Sequence, residues 1–281
     1  MLRKGDLTQG GITGTLLHFT LPMMVGSFLQ QCYNIADTLI VGQCIGAGAL
    51  AAVGSAYTLM VFLISVLLGL AMGSGTVFSL HYGAGNHVAL RRSIFSSFAL
   101  IGIVTLILNV AVFIWLDPIL RLLQVPQDIY GMMRSYLWII FCGIVFTFIY
   151  NFYASLLRAV GDSVTPLWFL AVSVVLNIAL DLFFILQLDW GIQGAAAATV
   201  LAQGVAALGI IIYTYRRRPE LRWHHEDMCF DRTCLKEIAS FSTLTCVQQS
   251  VMNLGILMVQ GLVNSFGTAV MAAFAAAVKI D

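Results

Sequence analysis

Ser27, Gln30, Asn34 and Asp37 follow one another at intervals of three, four and three residues, inside an apolar stretch from Thr20 to Gly54 that is long enough to cross a bilayer. That spacing sets all four on one face of a helix, so one wall of it is polar. A carboxylate in hydrocarbon costs from ~2.5 kcal/mol upward, and a chain keeps one there mainly where it faces a cavity or a partner. Asp37 is therefore the first candidate functional residue, and the chemistry open to it is to take up and release a cation or a proton. The bland alternative is a cap or an ion pair within a helix bundle. A second such carboxylate stands in VTPLWFLAVSVVLNIALDLFFIL, where Asn177 and Asp181 are four residues apart and so stacked one turn above the other. Pro166 in the same stretch suits a first helical turn, with Ser163 or Thr165 available as the cap.

The elements that must hold these groups are membrane helices. Of 281 residues 60% are hydrophobic and 10% charged, far from the roughly quarter-charged composition of soluble domains, and the mean hydropathy is +0.93. Apolar runs of the ~20 residues that a helix needs to cross hydrocarbon lie at about Leu16 to Ile45, Ala49 to Leu80, Ser93 to Leu116, Ser135 to Leu157, Val164 to Leu188, Gly191 to Tyr215 and Ile238 to Val263, and an eighth starts at Thr268. These lengths predict an all-α membrane protein, a helical bundle, since strands of an outer-membrane barrel would be much shorter. The polar start MLRKGDLTQGG, followed by an over-long apolar run with no small-residue cleavage site, does not read as a secretory signal. A net charge of +1 and the lack of a basic stripe with interleaved aromatics argue against a nucleic-acid partner.

Lysine and arginine in the connections set the orientation. Eleven of them, from Arg3 and Lys4 through Arg91, Arg92 and Arg158 to the cluster between Arg216 and Lys236, fall on one side, against Arg121 and Arg134 on the other. The expectation is a multi-pass protein of the cell inner (plasma) membrane with a cytoplasmic N-terminus. With that orientation and ~1.5 Å of rise per residue, Asp37, Asp181 and Thr199 should share one level, roughly 10 to 12 Å below the outer surface. Asn109 reaches a similar depth, where a helix-packing hydrogen bond accounts for it.

Other signals are weaker. Thr199 follows the small residues Gly194 to Ala198, which close helix packing explains, and its hydroxyl could equally bond its own backbone. His224, His225, Cys229 and Cys234 gather in the long polar connection, but their spacing fits no zinc pattern, and a solvated linker is expected with no metal and no cofactor. Cys32, Cys44, Cys142 and Cys246 are expected to be small apolar packing residues.

An internal repeat appears when Gly267 is set under Gly46, an offset of 221 residues that aligns GAGALAAVG with GTAVMAAFA. It falls after an even number of spans, so the repeat is parallel, related by an axis along the membrane normal. Asp37 then meets Met258, and the intramembrane acid has no twin. The expected organisation is an N-terminal lobe of six spans over 1–215, a cytoplasmic linker over 216–236, and the start of a C-terminal lobe over 237–281. On this reading the chain is truncated in its eighth span and belongs to a two-lobe, twelve-span architecture when complete.

With those residues located, the chain resembles the multidrug and toxic compound extrusion (MATE) transporters. The resemblance rests on NIADTLIVGQCIGAGALAAVG, LLRAVGDSVTP, LNIALD and WGIQGAAAAT. It implies two six-helix lobes facing each other in a V, around a cleft that opens alternately to the two sides. It further implies that Asp37, Asn177, Asp181 and Thr199 form an N-lobe cation or proton site, that Pro22 is the hinge of the first helix, and that Tyr136 lies near that pocket.

The resulting expectation is secondary active export of amphipathic organic cations against H⁺ or Na⁺, with Gln30, Asn34, Asp37 and Tyr136 meeting the substrate and the full-length protein a monomer in the lipid bilayer. Two alternatives remain. A flippase for lipid-linked oligosaccharides should line its cleft with cations to hold pyrophosphate, and the spans hold no clear arginine apart from Arg134 at an edge. An intramembrane enzyme would need a nucleophile and base, or a metal set, and His18, His81 and His87 lie at or near helix ends without an HExxH motif.

Overall fold

The computed structural model describes residues 12–222 and 232–280, and all statements below concern these. The chain forms α1 (Ile12–Cys44), α2 (Ala47–Gly83), α3 (His87–Leu122), α4 (Gln127–Cys142), α5 (Ile144–Ala159), α6 (Val164–Leu182), α7 (Gly191–Arg217), α8 (Arg232–Asn264) and α9 (Thr268–Ile280). A π-helical turn, Phe183–Gln187, prolongs α6, and a single 3-10 turn, Pro219–Leu221, follows α7. Five of these helices, α2, α3, α6 with its extension, α7 and α8, are long and apolar enough to cross a membrane, and α4 with α5 forms a sixth span bent by 49°. Leucine, isoleucine, valine, phenylalanine and tryptophan side chains cover the outside, among them Leu106, Ile107, Ile114 and Trp168. That is the surface of a multi-pass membrane protein.

Two of the spans depart from straight, uniformly apolar helices. The 33-residue α1 is long enough to cross, but it is not among the sufficiently apolar helices, because Gln30, Gln31, Asn34 and Asp37 dilute its hydropathy. Its helix continues through Pro22, and among the described spans the fourth is broken, at Gly143. A side chain at Gly143 would put its Cβ 2.5 Å from Cγ2 of Val200 on α7, so the kink lets α7 approach the backbone. Asn109 of α3 serves this kink, its amide donating to the Phe141 carbonyl at 3.1 Å. Carbonyls at a helix end lack intrahelical partners, and Asn109 supplies one.

The α6 cap also differs from expectation. Ser163 makes no capping hydrogen bond. Asp162 does the work instead, accepting from the Thr165 backbone N–H at 3.0 Å and from the Thr165 hydroxyl at 2.9 Å, while Arg218 at the end of α7 pairs with it at 3.3 Å. Three of the cysteines are not core residues either. Cys32, Cys44 and Cys142 are exposed on the outside of the bundle, whereas Cys246 is half-buried and packs against Gly69 of α2.

Helix α8 lies along α2 over most of its length. A Cβ at Gly69 would meet the Cys246 Cα at 2.5 Å, and one at Gly73 the Ser242 Cα at 2.4 Å, so the two backbones approach as only a missing side chain permits. Toward the other end the seam carries a dry polar cluster. Asn264 Oδ1 accepts from Ser55 Oγ at 2.9 Å and from Gln260 Nε2 at 2.8 Å, Asn264 Nδ2 donates to the Leu123 carbonyl at 2.8 Å, and Thr58 donates to Gln260 Oε1 at 3.2 Å.

The repeat register has a structural counterpart at its anchor. Gly46 directly precedes α2 at φ 116°, and Gly267 directly precedes α9 at φ 90°. Residues with side chains rarely adopt these angles, so glycine recurs at the same turn between the same two kinds of helix.

Candidate functional site

Helices α1, α2, α5, α6 and α7, with Tyr136 of α4, enclose a cavity of about 370 Å³. Its wall includes Gln30, Asn34 and Asp37 from α1, Tyr136 from α4, Asn177 from α6 and Thr199 from α7. These are all of the sequence-derived site residues except Asp181, which lies behind the wall, and Pro22, which lies elsewhere on α1. Pro22 instead lines a second cavity of about 390 Å³ between α1, α5 and α6.

Asp181 is fully buried, and Asn177 beside it is 2% exposed. The one-turn spacing of the two residues brings their side chains into contact as the helix geometry requires. The Asn177 amide nitrogen donates to Asp181 Oδ2 at 2.8 Å, while its carbonyl accepts from the Thr199 backbone N–H at 3.1 Å and from the Thr199 hydroxyl at 3.3 Å. The opposite amide orientation would set a carbonyl against a carboxylate, two acceptors face to face. The other carboxylate oxygen, Asp181 Oδ1, is buried with no hydrogen-bond partner. Asp37 is within electrostatic reach of Asp181. Its side chain is buried too. Two acids from different helices thus lie buried near one another, and Asp181 is linked through the Asn177 amide to Thr199.

The amides of α1 extend the polar wall. Asn34 donates to Gln31 Oε1 at 3.1 Å, and the Thr38 hydroxyl to the Asn34 carbonyl at 2.7 Å. Several wall residues escaped the sequence reading. Tyr33 reaches the Thr199 hydroxyl at 3.5 Å. Thr147 hydrogen-bonds Gln203 across α5 and α7, and Asn151 donates to the Thr147 carbonyl at 2.8 Å. Their signal was present in the helical spacing, since Tyr33 stands four before Asp37, Gln203 four after Thr199, and Asn151 four after Thr147.

The described residues contain no group of three or more His, Cys, Asp or Glu side chains placed to hold a metal. His224, His225, Cys229 and the side chain of Cys234 lie outside the described residues. His81 pairs with Glu237 at 3.3 Å, away from the cavity. Arg134 is bound to Asp117 at 2.8 Å on an exposed surface.

Long apolar helices closed around a cavity that buries carboxylates define a polytopic membrane protein with an internal polar site. A family model described as MatE matches residues 22–183, and the chain belongs to that family. It is 32% identical over 287 residues to the probable multidrug resistance protein YpnP of Bacillus subtilis, a match that covers 100% of this chain and 62% of that protein. It is 31% identical over 210 residues to the multidrug export protein MepA of Staphylococcus saprophyticus, covering 72% of this chain and 45% of that protein. The chain therefore spans about three fifths of the length of the relative that it matches from end to end.

Among solved structures, an inward-facing multidrug resistance MATE family transporter of the MOP superfamily superposes with a TM-score of 0.81 at 25% identity, over 95% of this chain and 61% of that one. An outward-facing one scores 0.82 at 22% identity, over 98% and 68%. The second likeness concerns the fold alone, and the near-equal scores tie the chain to neither conformation.

Proposed function

We infer that this protein works in secondary active export of amphipathic organic cations, driven by inward H⁺ or Na⁺, from a plasma membrane in which its N-terminus is cytoplasmic. The observation that carries this reading is the unpartnered Asp181 Oδ1, fully buried beside Asn177 and Thr199 and within reach of Asp37. A proton or a small cation satisfies the oxygen that the protein leaves bare, and a group held this way changes charge with occupancy. In this reading Asp37, Asn177, Asp181 and Thr199 bind the coupling ion. Gln30, Asn34, Asp37 and Tyr136 present amides, a carboxylate and a ring to the substrate, in a cavity whose remaining wall is largely apolar, as suits loosely held lipophilic bodies. Pro22 is the place where α1 can bend. The lobes over 1–215 and from 237, joined by the linker over 216–236, would rock against each other within a full-length monomer.

The second reading, a flippase for lipid-linked oligosaccharides, calls for cations in the main cavity. Among the described residues, its lining holds neither arginine nor lysine.

Asp37→Asn tests the leading reading. The amide keeps the shape and hydrogen-bonding capacity of the side chain but does not change charge. The variant should fold and insert at wild-type yield and lose ion-dependent export of ethidium-like cations in the full-length protein. Wild-type accumulation ratios in cells expressing it would defeat the assignment.

A further inference from the structure

We propose that the coupling ion reaches the basic end of the protein through the interior of this one helix bundle, by a hydrated route whose mouth is the second cavity and which the substrate does not follow beyond Gln30. The inference rests on the ion-coupling role argued above for Asp37 and Asp181.

The two cavities adjoin. Gln30, Gln31, Tyr150, Asn151 and Leu170 line both, so the cavity that holds Asp37 and the cavity that holds Pro22 meet at these side chains. The second cavity continues along α1 toward its N-terminal end and reaches Arg158 and Ser163 at the connection between α5 and α6. That end is the one on which arginine and lysine accumulate. The route is therefore aligned with the helices, from the acids near the far ends of α1 and α6 to the connection at the basic end.

Its lining suits water rather than lipid. Ser27, Gln30, Gln31, Asn151, Tyr150 and Ser163 contribute hydroxyls and amides, each able to donate and to accept. Several of these groups have only part of their capacity taken within the protein. Ser27 donates to the Met23 carbonyl at 3.2 Å, Tyr150 to the Pro166 carbonyl at 3.0 Å and Asn151 to the Thr147 carbonyl at 2.8 Å, which leaves their oxygens as acceptors along the passage. An intramembrane cavity of about 390 Å³ with polar partners of this kind is roomy enough for several waters. Arg158 is the charged group lining the mouth. It is exposed at the rim, where water and salt screen its charge. The shared set of Gln30, Gln31, Tyr150, Asn151 and Leu170 is neutral and so carries no fixed charge that would trap or repel a passing cation.

This arrangement separates two traffics. Substrate needs a wide opening, whereas a proton or a dehydrating Na⁺ needs only a thread of oxygens. A narrow intrabundle route lets the ion leave toward the basic end without the amphipathic substrate following it.

The test uses the full-length protein with its native cysteines replaced by serine and Ser27→Cys introduced, in right-side-out and inverted membrane vesicles. A charged, membrane-impermeant methanethiosulfonate should modify Ser27→Cys from the basic face, and a lipid-facing thiol at this depth would stay unmodified. Modification after folding should lower H⁺- or Na⁺-driven export at least tenfold, with separate gradients of the two ions telling which is carried. Reductant should restore the rate, and equilibrium binding of the dye should change less than twofold. Absence of modification, modification from the opposite face only, or a modified protein that still couples at the unmodified rate would each overturn the route. Asp37→Asn run in parallel separates the two ideas. Coupled export by Asp37→Asn defeats the ion-site reading itself, while loss of coupling in Asp37→Asn together with an inert Ser27→Cys adduct defeats the route alone.

Discussion

The Asn177 amide nitrogen donates to Asp181 Oδ2 across 2.8 Å, one helical turn apart on α6, and the same amide accepts from Thr199 on α7. Asn177 is thus the positioning group of the acid, fixed on both sides. Replacing it with leucine removes the donor and leaves both carboxylate oxygens of a fully buried Asp181 without a partner. The cost of stranding a buried polar group is about 1–3 kcal/mol. Asn177→Leu should lower the melting temperature of the detergent-solubilised protein and abolish ion-coupled export. Asn177→Gln, which keeps an amide but shifts it by one methylene, should recover stability better than coupling. Equal loss of both in Gln and Leu would show that the amide serves packing only.

At the basic end, Asp162 and not Ser163 caps α6. Loss of a helix N-cap costs about 1 kcal/mol, within a range of about 0.5–2. Asp162→Ala should therefore melt several degrees below wild type, with Arg218 also losing one of its two acidic partners, while Ser163→Ala should melt within a degree or so of it. Thermal unfolding followed by tryptophan fluorescence distinguishes the two, and a larger effect from Ser163 would reverse the assignment.

The sequence carried the helices and the acids well because both signals are local. A carboxylate inside an apolar run is conspicuous in itself, and the four-residue step from Asn177 to Asp181 stacks them whatever surrounds the helix. Long-range geometry left fainter traces. A lone glycine does not announce the 49° bend at Gly143, and the Val200 side chain that occupies the space beside it stands on another helix. Asp162, Ser163 and Thr165 are all capable caps, and only the path of the chain before α6 selects among them. Cys32, Cys44 and Cys142 look like core residues because hydropathy does not distinguish a lipid-facing side from a protein-facing one. Tyr33 and Gln203 were legible in principle by spacing, but a tyrosine or glutamine in a membrane helix is less costly than an acid and attracts less notice.

Close approach of α2 and α8 depends on two missing side chains. Gly73→Leu places a Cβ where the Ser242 Cα stands, 2.4 Å away, and backbone cannot rotate aside as a flexible side chain would. Overpacking of this kind costs about 1–3 kcal/mol. Gly73→Leu should lower the melting temperature and increase trypsin cleavage near α8. Gly83→Leu, where a Cβ meets nothing within 4 Å, is the control and should change neither. A Gly73→Leu protein as stable as wild type would mean that α8 does not pack against α2 in this way.

The polar cluster on the same seam should behave as one unit. Asn264 is 1% exposed and Ser55 fully buried; Asn264 bonds Ser55, Gln260 and the Leu123 carbonyl, and Gln260 also donates to Ser55 Oγ at 3.2 Å. Asn264→Leu therefore strands the Ser55 hydroxyl proton and the Leu123 carbonyl in a buried contact while Gln260 keeps Ser55 Oγ and Thr58 as partners, whereas Ser55→Ala strands little, because Gln260 and Thr58 remain to occupy the asparagine and one another. Ser55→Ala should cost about 1 kcal/mol, the net worth of an ordinary hydrogen bond, and Asn264→Leu about 2–4 kcal/mol from the desolvated groups left behind. Combined, the two should cost less than their sum, by about 0.5 kcal/mol or more, since the first replacement already removes one of the partners that the second would strand. A double-mutant cycle on chemical or thermal unfolding in detergent measures this coupling directly. Strict additivity within about 0.3 kcal/mol would show that Ser55 and Asn264 do not share a bond, and with it that α8 is not locked to α2 at this end of the seam.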